Sequence, residues 1–343
     1  GKVSRRAKDN DLDVWVYEDF EDQGLSEEQL VLTQFDGGSV DYGLGRFGPG
    51  ISADALRGLL ATLDAAQFAD EEESRINDFT IDEDINAAYL MDTLDIDALR
   101  LIVGLRYEET RQTAEGTGLR DGEFEAIRND NRYDHWLPGV HGIYSLDDRT
   151  RLRAAWTNTV VRPTFGQLFP GFVLDGDEAA LGNPDLRPLE SSNLDLGIEH
   201  YLGRDGVVSA FVFYKDIENF IYQTDLAGTG EWTDFSEAVT FVNGASASVL
   251  GMEIGYAQRL SGLPAPWNGL LVNANATFSS SDATIEQFDA DLGADRARDI
   301  GLPGQSDVTG NLVVGWENRT LSLRLAGNYK SDYLTEVGDV LDE

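Results

Sequence analysis

Hydrophobicity along this chain repeats every second residue, and that period limits what the chain can fold into. In ALRLIVGLRYEET, Leu99, Leu101, Val103, Leu105 and Tyr107 share one face. Arg100, Gly104, Arg106 and Glu108 share the other, with Ile102 the exception. TLSLRLAGNYK sets Leu321, Leu323, Leu325 and Tyr329 against Ser322, Arg324, Asn328 and Lys330. LLVNANATFSS sets Val272, Ala274, Ala276 and Phe278 against Asn273, Asn275, Thr277 and Ser279. Side chains alternate across a strand, so each of these stretches is a strand with one oily and one polar face.

Alternation alone also suits a soluble sandwich, with the oily face turned to a core. The connections separate the two cases. Strands are expected at about 2–8, 79–93, 97–111, 132–146, 149–161, 192–203, 206–221, 238–260, 268–281, 306–317 and 320–331. The links between them alternate in length. Short ones fall at 94–96, 147–148, 204–205, 261–267 and 318–319; long ones cover 9–78, 112–131, 162–191, 222–237 and 282–305. A sandwich has no reason to sort its loops by length onto one end. An outer-membrane barrel does, with tight periplasmic turns and large external loops. Aromatics at the ends of the oily faces, Tyr107 and Tyr329 at one end and Trp316 at the other, suit two membrane interfaces.

Composition removes several function classes. The 26 basic and 62 acidic residues give a net charge of -36, which opposes binding to nucleic acid phosphates. There is no cysteine for a disulfide, a zinc-thiolate site or a thiol nucleophile, and His135, His141 and His200 are scattered. No Gly-x-Ser-x-Gly elbow, Walker loop or His-Glu-x-x-His motif occurs, and the many acids nominate no glycosidase pair. The expectation is a non-enzymatic protein without cofactor or resident metal.

The stretch GNPDLRPLESSNLDLGIEHYLG (182–203) passes from a proline-rich turn into a strand. Pro184 and Pro188 belong outside the ladder, where a missing N–H costs nothing, and Gly182 is expected to supply a turn conformation. The motif reads as a device that leads the chain from a loop back into a wall.

This stretch, with GVVSAFVFYKDIENFIYQ after it and LRAAWTNTVVRPTFGQLFPG before it, resembles the late barrel strands of TonB-dependent outer-membrane receptors. INDFTIDEDINAAYLMDTL, LIVGLRYEET, VNGASASVLGMEIGYAQRL and LPGQSDVTGNLVVGWENRTLSLRLAGNYKSDYL fit the same family in order, over most of residues 75 to 335. The resemblance implies an all-β, antiparallel transmembrane barrel of about 22 strands, filled by an N-terminal plug and driven through TonB. About 11 of those strands are read here. The chain is therefore expected to be a partial barrel, with the plug and the C-terminal strands absent. The implied function is energised uptake of a scarce nutrient, a carbohydrate or a siderophore, across the outer membrane. Outer-membrane lipid, the TonB complex and the small solute are the expected partners. A passive porin and a secreted acidic β-rich binding protein are the alternatives.

Candidate site residues lie in the long connections and on the polar strand faces. Tyr222, Asp225, Trp232, Asp234 and Phe235 combine aromatic plates with carboxylates, a pairing suited to sugars. Arg100, Arg106, Arg153, Glu199, Glu253 and Arg324 are expected to face the lumen and to pair among themselves. The 9–78 connection holds 18 acids against three arginines, and reads as an extracellular loop with short helices. Ser26 and Ser52 are its expected caps, and Leu56, Leu59, Leu60 and Leu63 one apolar face. DNDLD (9–13) and DEEES (70–74) gather carboxylates without the spacing of a calcium loop.

Overall fold

The computed structural model describes residues 1–16, 40–41, 46–47, 53–120, 123–289, 294–335 and 337. Its main element is one antiparallel sheet. In chain order the strands are β1 (Lys2–Asn10), β2 (Phe79–Ile96), β3 (Leu99–Arg120), β4 (Glu123–Ser145), β5 (Thr150–Val161), β6 (Phe172–Asp175), β7 (Glu178–Leu181), β8 (Leu189–Tyr201), β9 (Gly206–Glu218), β10 (Ile221–Asp225), β11 (Glu237–Asn243), β12 (Ser246–Arg259), β13 (Leu270–Asp289), β14 (Ala294–Ile300), β15 (Val308–Glu317) and β16 (Ser322–Lys330). Eleven of them pair in the order β1-β2-β3-β4-β5-β8-β9-β12-β13-β15-β16, with β14 folded back onto β13. A separate four-stranded sheet, β6-β7-β11-β10, is made from the long connections.

All eleven expected strands occur, but three boundaries move. The 238–260 stretch is two strands. β11 pairs in parallel with β7 in the small sheet, and the wall resumes at Ser246. Gly244 marks the break: a Cβ there would sit 2.2 Å from the Phe220 ring. The 112–131 connection is not a loop. β3 and β4 stay in register from Leu99–Tyr144 to Arg120–Glu123, carrying the hairpin past the apolar belt. Likewise β13 runs on to Asp289 and returns as β14. In the 9–78 segment the described helices are α1 (Ala53–Leu60) and α2 (Glu71–Ile76). The proposed caps Ser26 and Ser52 lie outside the described residues. Asp70 caps α2, accepting from the Glu73 N–H at 2.8 Å, with Glu71 to Glu73 at the positive end of the helix. The carboxylates of DEEES are thereby accounted for as a helix start.

Register places the alternating residues on two continuous faces. One row runs Leu101, Gly142, Ala154, Leu196, Val212, Met252, Phe278 and Val308 through the paired strands. The apolar face is open: Leu90 is 79% exposed, Leu196 49% and Leu325 76%. Among the described residues no second sheet covers it. Water would not tolerate a patch of this extent, and bilayer lipid is the medium that suits it. On β3 the belt runs from Leu99 to Tyr107, close to the span of a tilted transmembrane strand. Tyr107 packs against Trp136 at 4.7 Å at the loop end, while Tyr144, Trp267 and Trp316 occupy the turn end. These are two aromatic girdles.

Buried apolar residues concentrate instead where the long connections meet the wall. Ile217, Phe220, Tyr222, Val249 and Ile285 form one cluster, Ile81, Ala114, Leu168 and Leu186 a second, and Ile76, Leu119 and Phe172 a third. The 162–188 connection fills a gap in the sheet. β4 and β5 pair only from Gly139 to Ser145, parting beyond Pro138, which has no N–H to give. Above that point the Asn131 amide donates to the Pro184 carbonyl at 2.6 Å and Asn129 to the Asp185 carboxylate at 2.7 Å. β8 starts at Leu189, directly after Pro188, so both prolines lie outside the ladder. Gly182 does not serve as a left-handed turn residue. Its role is close approach, since a Cβ would stand 2.1 Å from the Phe169 carbonyl oxygen.

At the turn end, Asp147 accepts backbone N–H bonds from Arg149 and Thr150, both at 2.7 Å. The Arg149 N–H is the largest influence holding its carboxyl below the usual range. A lowered folded pKa means that the turn is stabilised at neutral pH and loosens as pH falls through that value. Protection of the Arg149 and Thr150 amides, taken relative to the intrinsic exchange rate at each pH, should therefore fall on acidification, and in Asp147→Asn it should lose that pH dependence.

Two substitutions test the wall itself. Gly182→Ala should destabilise by about 1–3 kcal/mol through backbone displacement, read as a lower unfolding midpoint of the folded protein. Leu325→Arg should cost roughly 2–4 kcal/mol in lipid, whereas Ala326→Arg on the other face should be milder. Equal losses of folded protein from these last two would mean that the faces are misassigned.

Candidate functional site

Above the belt, the polar face carries a buried charged network that ties the 162–188 connection to the wall. With Pro163 barring further ladder bonds, β5 stops at Val161 and Arg162 opens the connection. Its guanidinium donates to Glu108 Oε2 at 2.6 Å and to Thr110 Oγ1 at 2.9 Å. Arg106 donates to the other Glu108 oxygen at 2.6 Å. Glu108 thus has a cation on each oxygen, the condition under which a buried carboxylate is tolerated. Register brings His135 alongside Glu108 and Tyr133 alongside Thr110, and the two rings meet edge to face at 5.5 Å. His135 is buried, with Nε2 3.5 Å from Glu190.

Next to this network, Glu83 on β2 is fully buried and receives Arg6 Nε at 2.7 Å. The same Arg6 lies over the Phe165 ring at 5.3 Å. Strands β1 to β3 and the 162–165 segment are therefore joined by charge as well as by packing. The sequence reading nominated Arg106 of this group and missed Arg6, Glu83, Glu108 as a hub, and Arg162. Alternation did place Glu108 on the polar face and could have placed Glu83 there; the reach of Arg162, just past β5, to β3 has no local signal.

The aromatic and acidic residues of 222–237 divide by role. Tyr222 is buried, and its hydroxyl donates to the Glu286 carbonyl at 2.7 Å and accepts its N–H at 3.1 Å. Asp225 accepts the N–H groups of Ala227 at 2.8 Å and Ala238 at 2.7 Å. These two side chains are engaged in holding the small sheet. Trp232 and Phe235 stack edge to face at 5.0 Å, and Trp232 also meets Phe172 at 6.4 Å. Both are half-buried, and Asp234 beside them is exposed. Trp232, Asp234 and Phe235 form the part of the group that still presents a surface.

Arg100, Arg106, Arg153, Glu199, Glu253 and Arg324 all register on the polar face. Their pairings are more local than a cross-lumen network. Arg153 meets Glu199 on the adjoining strand β8 at 3.0 Å, while Arg100 pairs with Asp95 across its own hairpin at 2.7 Å. Among the described residues, Arg324 and Glu253 have no ion-pair partner. No group of three or more His, Asp or Glu that could hold a metal occurs among the described residues.

Comparison with known proteins agrees with this architecture. Residues 5–341 match the family model described as TonB dependent receptor-like, beta-barrel. No curated protein matches the chain in sequence. Among solved structures, the ferric-catecholate import receptor Fiu of Escherichia coli K12 superposes with TM-score 0.52 at 16% identity, over 74% of this chain and 36% of that one. The siderophore receptor PiuA of Acinetobacter baumannii gives TM-score 0.52 at 15% identity, over 74% and 34%. The Serratia marcescens hemophore receptor HasR, solved with its hemophore HasA and heme, gives 0.55 at 14%, over 77% and 46%. At such identities the likeness concerns the fold, and the chain spans between a third and a half of these receptors' length. With an antiparallel wall, an exposed apolar belt between aromatic girdles and this family match over nearly all its residues, the chain belongs to the TonB-dependent receptor β-barrel family of the outer membrane.

Proposed function

We propose that this wall is part of a receptor that binds a scarce small nutrient at its external mouth and imports it with energy from TonB. TonB would be engaged through a plug carried by the parent receptor rather than by the residues described here. The observation that carries the reading is the inward packing of the long connections. Three apolar clusters and the Arg162–Glu108 pair fix them over the polar face, which is how a mouth with a defined shape is built. A passive pore would have no need of so much ordered loop structure.

Charge narrows the solute. At -36 overall, the chain disfavours highly anionic ligands. The exposed Asp234 beside the Trp232–Phe235 pair offers a ring face and hydroxyl acceptors together. A neutral carbohydrate fits that pairing better than an anionic ferric siderophore, the other candidate class.

Uptake of labelled oligosaccharides and of ferric siderophores by cells carrying the parent receptor tests this directly. Accumulation should require TonB and should favour the sugar. Trp232→Ala should weaken binding by about 2 kcal/mol, roughly 30-fold, without changing the receptor's membrane level. Equal uptake in cells lacking TonB would convert the protein into a passive porin. Unchanged affinity in Trp232→Ala would leave that ring as loop packing alone.

A further inference from the structure

The polar face below the 222–237 connection carries a second group of rings and carboxylates. β9 leads up to that connection and the chain returns to the wall as β12, and these neighbouring strands hold the group. Phe211 of β9 registers between Gly197 of β8 and Glu253 of β12. Two residues nearer the loop end, Phe213 registers between Asp195 of β8 and Gly251 of β12. The two rows are one arrangement with its sides exchanged: each ring has a glycine on one side and a carboxylate on the other.

The glycines set how the rings lie. A Cβ at Gly197 would stand 2.1 Å from the Phe211 ring and one at Gly251 2.3 Å from the Phe213 ring, so each ring occupies the room above bare backbone. A ring laid along the wall keeps one face against the sheet and turns the other to the lumen. The carboxylates beside them are uncommitted. Among the described residues neither Asp195 nor Glu253 has an ion-pair or hydrogen-bond partner for its side chain, whereas nearby Glu199 is satisfied by Arg153 at 3.0 Å. Glu253 is exposed and Asp195 half-buried.

We propose that Phe211 and Phe213, with Glu253 and Asp195 at their sides, form an inner track along which a neutral oligosaccharide passes after leaving the mouth. The track presupposes the carbohydrate reading of that mouth. A sugar ring has an apolar C–H face and a rim of hydroxyls; an aromatic face takes the first and a free carboxylate accepts from the second. The unit occurs twice along one strand, about 7 Å apart, which suits a solute that itself repeats. Trp232, Asp234 and Phe235 on the connection above offer the same chemistry, so the solute meets like contacts from the mouth inward. Lys215, next along the same face of β9, offsets part of the acidic charge and favours a neutral solute over a cation. Shallow, repeated contacts are what passage requires, since a solute must leave each site as readily as it enters.

The test uses cells carrying the full parent receptor, with tritiated maltopentaose, cellopentaose and xylopentaose as probes. Binding is read on de-energised cells and initial uptake on energised ones. The double variant Phe211→Leu/Phe213→Leu keeps apolar cover over the two glycines but removes the planar faces. It should lower the maximal uptake rate of the transported sugar roughly fivefold, with binding affinity and membrane level unchanged. Phe211→Tyr/Phe213→Tyr keeps the faces and should transport at close to the wild-type rate. Should the leucine pair reduce the membrane level, Glu253→Ala, at an exposed position, carries the test and should slow uptake about twofold or more. Unchanged uptake in the leucine variant or in Glu253→Ala would overturn the track and leave the carbohydrate reading of the mouth standing. New sensitivity of the leucine variant to vancomycin would show that the rings hold the parent's plug, and would overturn the track as well. Absence of all three sugars from TonB-dependent uptake would overturn the carbohydrate reading and the track with it.

Discussion

Backbone polarity is the constraint on which the rest of this structure depends. In hydrocarbon each N–H and C=O needs a partner within the protein, and the continuous ladder from β1 through β16 supplies it. Once the backbone is committed to a sheet, each strand has two faces, and the lipid requires one of them to be apolar. The sequence period of two follows from that requirement. Polar and charged groups are left only one face to occupy, which is why Arg153, Glu199 and the Glu108 network share it.

The polar face is nevertheless not purely polar. Phe211 and Phe213 lie on it, opposite Gly197 and Gly251 of the neighbouring strands. A Cβ on those glycines would stand 2.1 Å and 2.3 Å from the rings. The aromatic rings therefore lie along the wall over bare backbone, covering its hydrogen bonds at no cost in projection. Such pairs keep two large side chains on this face without filling the space in front of it.

What was legible in the sequence was whatever is local. Alternation placed eleven strands and both faces, because facing depends only on parity along one strand. Loop-length sorting placed the two ends. The β7–β11 pairing was not legible, since it joins segments nearly 60 residues apart in parallel and leaves no periodic trace. The β3–β4 extension was missed for a different reason: beyond Tyr107 the pattern still alternates, but Glu109, Arg111 and Thr113 replace the apolar residues. A reading based on oiliness stops at the membrane surface, whereas the hydrogen-bond ladder does not. Among the site residues, Tyr222 shows the limit most clearly. Its hydroxyl is spent on the backbone of Glu286, 64 positions away, a contact that neither residue's neighbours announce.

The two ends of the wall also differ in what their order rests on. At the turn end, links are short and held by local devices such as the Asp147 turn, so geometry there follows from a few adjacent residues. At the loop end, order comes from long-range burial and from Arg162 reaching Glu108 over 54 positions. A charged pair of that kind contributes little net stability against a well-packed apolar substitute, but removing one partner leaves the other stranded. Its value is specificity of placement: only one path of the 162–188 connection lets Arg162 satisfy Glu108 and Thr110 while Asn129 and Asn131 hold the turn at Pro184 and Asp185. The mouth is thus defined by polar contacts that fit one arrangement, while the belt below is defined by apolar character that tolerates many sequences. Divergence in solute preference within such a fold can proceed at the loop end without disturbing the lipid-facing half.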